Sequence, residues 1–219
     1  MITSNIIHRT YRIKCGESVG TAFAIDVDNR QYLVTAKHVV EGTSPSFLEL
    51  YRSGHWESVP CTAVGHAAQE DVSVFSLDSA IVPSGLPMLN GSGGIVYGQD
   101  VYFLGFPYGV LSNVVLGNEG YPCPLVKRAI LSAFMGQMLL LDGHNNPGFS
   151  GGPVVFGNPG QRPNRFGGVI SGYRFDPQPV YLNDQESAFT TRANTGIIIS
   201  YSVDVALMLI EANPIGVAL

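Results

Sequence analysis

An all-β barrel or sandwich is the fold class this chain predicts, and three observations predict it. Glycine and proline are abundant, 26 and 14 of 219 residues, and together with Asn and Asp they bound the apolar runs. Runs with strand-type patterning are short and recur at close intervals. Helical periodicity is hard to find before the C-terminus. With 45% hydrophobic residues and no low-complexity tract, there is ample apolar material for a packed core and too much for a disordered linker.

The elements follow in chain order. Residues 20–26 (G-T-A-F-A-I-D) and 31–36 (Q-Y-L-V-T-A) flank the polar turn Val27-Asp28-Asn29-Arg30 and predict a β-hairpin. Further strands are expected at Phe47–Tyr51, Ser58–Val64, Val72–Leu77, Asp100–Phe103, Ala129–Phe134, Met138–Leu141, Pro153–Phe156, Gly168–Ser171 and Thr195–Ser200. The stretch Pro83–Gly98, rich in Gly, Pro and Ser, reads as the connection between two units, so a first unit over residues 1–90 and a second over 91–219 are expected. One helix is predicted, Val203–Glu211, with Ser202 available to cap it, Asp204 in its first turn and Asn213-Pro214 ending it.

Composition excludes several functions. The formal net charge is −5 with 12 scattered Lys and Arg, so no basic stripe is present to neutralise a phosphate backbone, and nucleic acid is not an expected ligand. No apolar run approaches a membrane span, and the first twenty residues lack the charged head and apolar stretch of a secretory signal. Cys15, Cys61 and Cys123 are odd in number and widely spaced. They suggest neither a disulfide framework nor a zinc site, and reduced thiols point to a cytoplasmic or other reducing compartment. No cofactor and no metal are expected; the oligomeric state is left open.

The most specific chemical signal is Asn146-Pro147-Gly148-Phe149-Ser150-Gly151-Gly152-Pro153. A serine hydroxyl is a poor nucleophile until a base takes its proton, and the tetrahedral intermediate needs hydrogen-bond donors aimed at its oxyanion. A glycine at 148 has the backbone freedom to turn its own N–H and that of Ser150 toward one point. G-x-S-x-G also describes the nucleophile elbow of α/β-hydrolases, where the histidine follows the serine. All five histidines here, His8, His38, His55, His66 and His144, precede Ser150, and alternating strands and helices are missing, so the elbow reading fails.

A base must therefore lie upstream. His38, in Leu33-Val34-Thr35-Ala36-Lys37-His38, follows a buried strand and can present its imidazole at a barrel rim; alone, it reads equally as a structural histidine. His8, His55 and His66 have no such framing. The carboxylate that orients the imidazole is best sought at Asp71, which opens the run Val72-Ser73-Val74-Phe75-Ser76-Leu77, with Glu70 and Asp78 as rivals.

In that order the T-A-K-H, E-D-V-S-V-F-S-L and N-P-G-F-S-G-G-P segments resemble the trypsin-like serine peptidases, whose segments are T-A-x-H, D-[IV]-A-[LV]-[LI] and G-[DN]-S-G-G-P. Within that family the chain is most similar to the protease core of the Deg/HtrA type. Gly20-Thr21-Ala22-Phe23 resembles its G-S-G-F, and residues 101–109 (V-Y-F-L-G-F-P-Y-G) its V-x-A-I-G-N-P-F-G. Ile130–Ala133 and Thr195–Ser200 resemble two later segments. The resemblance covers about residues 18–212, and no PDZ domain is expected after it.

The resemblance implies two six-stranded antiparallel β-barrels with a C-terminal helix, and a serine endopeptidase acting on polypeptide in extended conformation. His38 and Asp71 would come from the first barrel and Ser150 from the second, with the Gly148 and Ser150 N–H groups as the oxyanion hole. Ser171 would stand beside the catalytic Asp, and Ser171, Gly172 and Tyr173 would form the edge that pairs with substrate. Residues 143–147, Ser171–Tyr173 and the start of the segment 174–194 would line the primary specificity pocket, with His144 at its floor, Asn145 beside it and Tyr173 narrowing its entrance. A small or medium apolar side chain is the expected occupant, not a basic one. The alternative on the same fold is a non-catalytic peptide-binding pseudoprotease.

Two departures stand out. Secreted trypsins have Asp just before the nucleophile, where it receives a new N-terminus; here Phe149 stands there, so that activation is not expected and burial of the ring is the expected anchor. Residues 157–167 and 174–194 match no family segment and are expected to be surface loops.

Overall fold

The turn Asp28-Asn29, with φ of 49° and 59°, closes the predicted hairpin, because two consecutive residues with positive φ match the twist of the strands they join. The computed structural model describes residues 2–41, 45–82, 86–112, 120–158, 160 and 163–219. Pro83, Ser84 and Gly85 of the expected connection, and residues 159, 161 and 162 of the first expected loop, lie outside the described residues.

A short helix α1 (Ser4–Ile7) precedes β1 (Thr10–Cys15), β2 (Ser18–Val27) and β3 (Arg30–Thr35). A helical turn α2 (Lys37–Val40) then leads to β4 (Phe47–Arg52), β5 (His55–His66) and β6 (Ser73–Leu77). The strands run in the order β3-β2-β1-β4-β5-β6, and β3 also pairs with β6. Six antiparallel strands therefore close on themselves, which leaves no edge in the circuit.

The second sheet comprises β7 (Leu89–Asn90), β8 (Asp100–Gly105), β9 (Leu125–Met135), β10 (Met138–Asp142), β11 (Pro153–Phe156), β12 (Arg165–Leu182) and β13 (Gln185–Ser202). Its order is β11-β8-β9-β10-β13-β12-β7, and β11 also pairs with β12, so a second antiparallel six-strand circuit closes. Helix α3 (Asp204–Ala212) follows, with the Asp204 N–H donating to Ser202 Oγ at 3.0 Å. Two short strands cross the division expected at residue 90. The first is β7, which pairs with β12 of the second sheet; the other is β14 (Val217–Ala218), which returns to β3 of the first. Among the described residues no helix is long and apolar enough to cross a membrane.

Apolar side chains from alternate strand positions fill three clusters. One lies within the first barrel around Tyr11, Leu33, Leu50 and Phe75. Another lies within the second, around Phe103, Leu131, Phe149 and Ile170. The third joins the two sheets and α3: Phe23, Val34 and Val74 meet Leu104, Val155, Phe166, Val203 and Ile210. Burial of these side chains, each worth about 1.5–3 kcal/mol, holds the two barrels against each other and fixes the groove between them.

Three parts of the sequence reading need correction. The expected surface loop 157–167 ends early: Arg165, Phe166 and Gly167 already belong to β12, with Phe166 fully buried because it packs between the two sheets. Strand β1 was not expected, although Tyr11, Ile13 and Cys15 are buried in alternation with half-buried Arg12 and Lys14, which is the period-2 signal of a half-buried strand. Residues 174–194 are not a loop. They are the outer halves of β12 and β13, a two-stranded ribbon turning at Asn183-Asp184 with φ of 49° and 59°. Proline is rare inside a ladder, yet this one runs through two, Pro177 opposite Arg192 and Pro179 opposite Thr190.

Candidate active site

Strand β3 ends at Thr35, and the backbone turns at once into α2, which sets His38 at the rim of the first barrel. A tight turn before β6 carries Asp71; it is closed by the Ala67 N–H donating to the Val72 carbonyl at 2.9 Å. Lys37 ties the two together, its ammonium donating to the Ala67 carbonyl at 2.7 Å. Asp71 then receives three hydrogen bonds. The His38 backbone N–H reaches Oδ1 at 2.8 Å, His38 Nδ1 lies 2.6 Å from Oδ2, and Ser171 Oγ donates to Oδ2 at 2.6 Å.

These contacts set the charges. The hydrogen bond to Asp71 raises the His38 pKa above its ordinary 6.5, outweighing the opposing effect of burial. Burial pushes the Asp71 carboxyl up, but the hydrogen bonds from His38 and Ser171 pull it further down, and it lies below its ordinary 3.8. An ionised aspartate of this kind holds the imidazole with Nδ1 protonated and Nε2 free to accept a proton.

Ser150 sits on the loop between β10 and β11, and its neighbours anchor it to both sheets. The Ser150 carbonyl accepts the Thr21 N–H of β2 at 2.8 Å, and the Gly151 N–H donates to the Ile170 carbonyl of β12 at 2.7 Å. The Ser150 hydroxyl donates to the Ser171 carbonyl at 3.2 Å, and His38 is not among its hydrogen-bond partners. Ser171 therefore touches both sides of the groove, Asp71 through its hydroxyl and Ser150 through its carbonyl.

Gly148 has φ of 103°, and a Cβ there would lie 2.5 Å from the Phe106 carbonyl oxygen, so no other residue fits. Its own carbonyl accepts Thr21 Oγ1 at 2.7 Å. The preceding Pro147 carbonyl accepts the Tyr108 N–H at 3.1 Å. In a trans peptide the C=O and the following N–H point opposite ways, so holding the Pro147 oxygen toward Tyr108 turns the Gly148 N–H away from it. Among the described residues neither the Gly148 nor the Ser150 N–H has a protein acceptor. Tyr108 delivers its N–H from a left-handed backbone, φ 51°, a conformation uncommon for a non-glycine residue. Phe149 is fully buried, its ring edge-on to Phe103 at 4.9 Å between centroids.

The expected pocket residues separate. His144 is exposed and presents its backbone carbonyl to the Lys127 ammonium. Asn145 is the buried one, 2% exposed. Its Nδ2 donates to the Gly172 carbonyl at 3.1 Å, and its carbonyl accepts Asn194 Nδ2 at 2.8 Å. Tyr173 is half-buried and pairs with Ile198 of β13. Sequence reasoning passed over Thr21, Lys37, Tyr108 and Asn194. Thr21 and Tyr108 lie inside segments that carry the family resemblance, but their contacts with the Ser150 loop reach residues 38 or more positions away, which no local pattern signals.

No curated protein matches the chain in sequence. Among solved structures, the HtrA-type protease AlgW with tripeptide is similar at 22% identity and a TM-score of 0.60, over 95% of this chain and 61% of that one. The serine endoprotease from Yersinia pestis is similar at 19% identity and a TM-score of 0.59, over 95% of this chain and 64% of that one. The Rv3671c protease in an inactive form matches at 17% identity and a TM-score of 0.60, over 96% of this chain and 91% of that one. The chain thus spans less than two thirds of the first two, and at these identities the likeness is one of fold. Residues 20–161, well over half of the chain and including His38, Asp71 and Ser150, match the sequence model of the trypsin-like peptidase domain, and the chain belongs to that family.

Proposed function

We propose that the chain is a serine endopeptidase in which Ser150 is the nucleophile, His38 the general base and then acid, and Asp71 the orienting carboxylate. The observation that carries this reading is the run of contacts from Ser150 through Ser171 to Asp71 and His38. It links a hydroxyl, a carboxylate and an imidazole in one series of hydrogen bonds. In the reaction the Ser150 hydroxyl leaves the Ser171 carbonyl and gives its proton to His38 Nε2 as Oγ attacks the scissile carbonyl. The oxyanion is received by the Gly148 and Ser150 N–H groups. The imidazolium then protonates the leaving amine, and water, deprotonated by His38, hydrolyses the acyl-enzyme. Substrate pairs in extended form with Ser171–Tyr173. His38 and Asp71 belong to elements of the first sheet and Ser150 to the second, which favours two units divided near residue 90.

The alternative, a peptide-binding pseudoprotease, draws on the Ser150 hydroxyl being engaged with the Ser171 carbonyl instead of His38. Labelling by a fluorophosphonate probe separates the two. The peptidase reading expects a labelled wild type and unlabelled Ser150→Ala and His38→Ala variants; a silent wild type decides for the pseudoprotease.

A further inference from the structure

Two asparagines, Asn145 on the loop that carries Ser150 and Asn194 on β13, are hydrogen-bonded to each other. A peptide whose scissile carbonyl lies at Ser150 Oγ, with its oxygen toward Gly148, and whose backbone pairs with Ser171–Tyr173, directs the side chain before the cleaved bond between the 144–147 and 171–173 segments. Those segments are joined there by Asn145, whose side-chain amide spans to the Gly172 carbonyl at 3.1 Å. A hydrogen bond of that length leaves no gap at that depth for a third group. The remaining wall is tied in as well: Asn194 Nδ2 holds the Asn145 carbonyl at 2.8 Å, and its Oδ1 accepts the Gly196 N–H at 2.9 Å. Asn145 is itself fixed, since its Oδ1 accepts the Asn146 N–H at 2.8 Å. Lys127 is bound to the same 144–147 segment, at the His144 carbonyl and, at 3.1 Å, at Asn146 Oδ1, where its charge opposes a basic guest.

We propose that Asn145, braced by Asn194, is the specificity-determining residue of this site, and that it restricts the residue before the cleaved bond to glycine, alanine or serine. This rests on the peptidase reading and narrows its substrate class. Displacing the amide to seat a larger side chain costs the buried Asn145 amide its partner and frees the half-buried Gly172 carbonyl, a loss of the kind that gives discrimination between substrates.

The test is an unselected peptide library digested by wild type and by Asn145→Ala, with cleavage sites read by mass spectrometry and fluorophosphonate labelling run on the same samples. Wild type is expected to cut after Gly, Ala and Ser. Asn145→Ala is expected to gain sites after Val, Leu and Met, with the Leu-to-Ala ratio of kcat/KM rising by about tenfold or more. Should Asn145→Ala fail to fold, Asn194→Ala, which releases the Asn145 carbonyl, and the wild-type profile carry the same test. A labelled wild type that cuts chiefly after Leu, Phe or Arg overturns the assignment alone, as does a labelled variant with an unchanged profile. A wild type that neither labels nor cuts overturns the peptidase reading and this inference with it.

Discussion

At the scale of single residues the consequential pair is His38 and Asp71, because its charges set opposite pH trends for activity and stability. A general base must be neutral, so peptidase activity is expected to rise with pH through the His38 pKa, which Asp71 holds above 6.5. The protonated His38 is the form the fold favours, so its contribution to stability is full below the unfolded pKa and fades as pH rises through the folded one. Asp71, depressed below 3.8, contributes above its unfolded pKa and loses that contribution on acidification. Asp71→Asn is therefore expected to move the rising limb of the pH–rate profile to lower pH. It is also expected to reduce kcat by about 10⁴-fold, the scale found when such a carboxylate is lost and the imidazole takes the wrong tautomer. A limb that stays in place would show that Asp71 does not govern His38. The candidates 38, 71 and 150 were legible because each sits in a short motif; Ser171 and Asn145 needed the resemblance, and Lys37 and Asn194 gave no signal at all.

Elements show what local pattern can and cannot convey. The hairpin β2–β3 and helix α3 were readable, since their turn and cap residues lie next to the apolar runs they punctuate. The ribbon of β12 and β13 was hidden by Pro177 and Pro179, and the ladder explains why both are tolerated. A proline nitrogen has no hydrogen to give a neighbouring strand, so within a continuing ladder it must face away from that strand. Both prolines therefore face away from β13, toward the edge of β12 that no strand among the described residues covers beyond Val169. They remove two donors from an exposed edge whose ribbon also displays Phe175, Tyr181, Leu182 and Phe189, which is how proteins blunt edge-to-edge pairing. Replacing both with threonine restores those donors. Sedimentation velocity is expected to show concentration-dependent self-association in Pro177→Thr/Pro179→Thr and none in wild type; a double variant that sediments like wild type would show that the prolines do not protect the edge.

For the whole molecule the decisive feature is that the Ser150 loop of one barrel is seated on a strand of the other. Thr21 of β2 makes two contacts with that loop, its N–H to the Ser150 carbonyl and its hydroxyl to the Gly148 carbonyl, and its Oγ1 also accepts the N–H of Phe106, just after β8, at 3.3 Å. Thr21→Val keeps the shape and strands the Gly148 carbonyl and the Phe106 N–H. It is expected to cost about 1–3 kcal/mol of stability for each group left unsatisfied, and to lower kcat/KM by about 10²-fold through misplacement of the proposed oxyanion donors. Thr21→Ser is expected to restore both, and thermal unfolding beside steady-state kinetics separates the two effects. An activity loss no larger than the stability loss explains would remove Thr21 from the positioning machinery. By itself the amino-acid sequence determined the all-β class, most strands, the terminal helix and the motif words around residues 38, 71 and 150, because these depend on side-chain alternation, turn chemistry and neighbours a few positions apart. Only the tertiary structure decided which way the Gly148 N–H points, that Asn145 is buried against the Gly172 carbonyl and that residues 174–194 form a ribbon. Those outcomes depend on hydrogen bonds between residues tens to more than a hundred positions apart, and such bonds form only once the two barrels have packed.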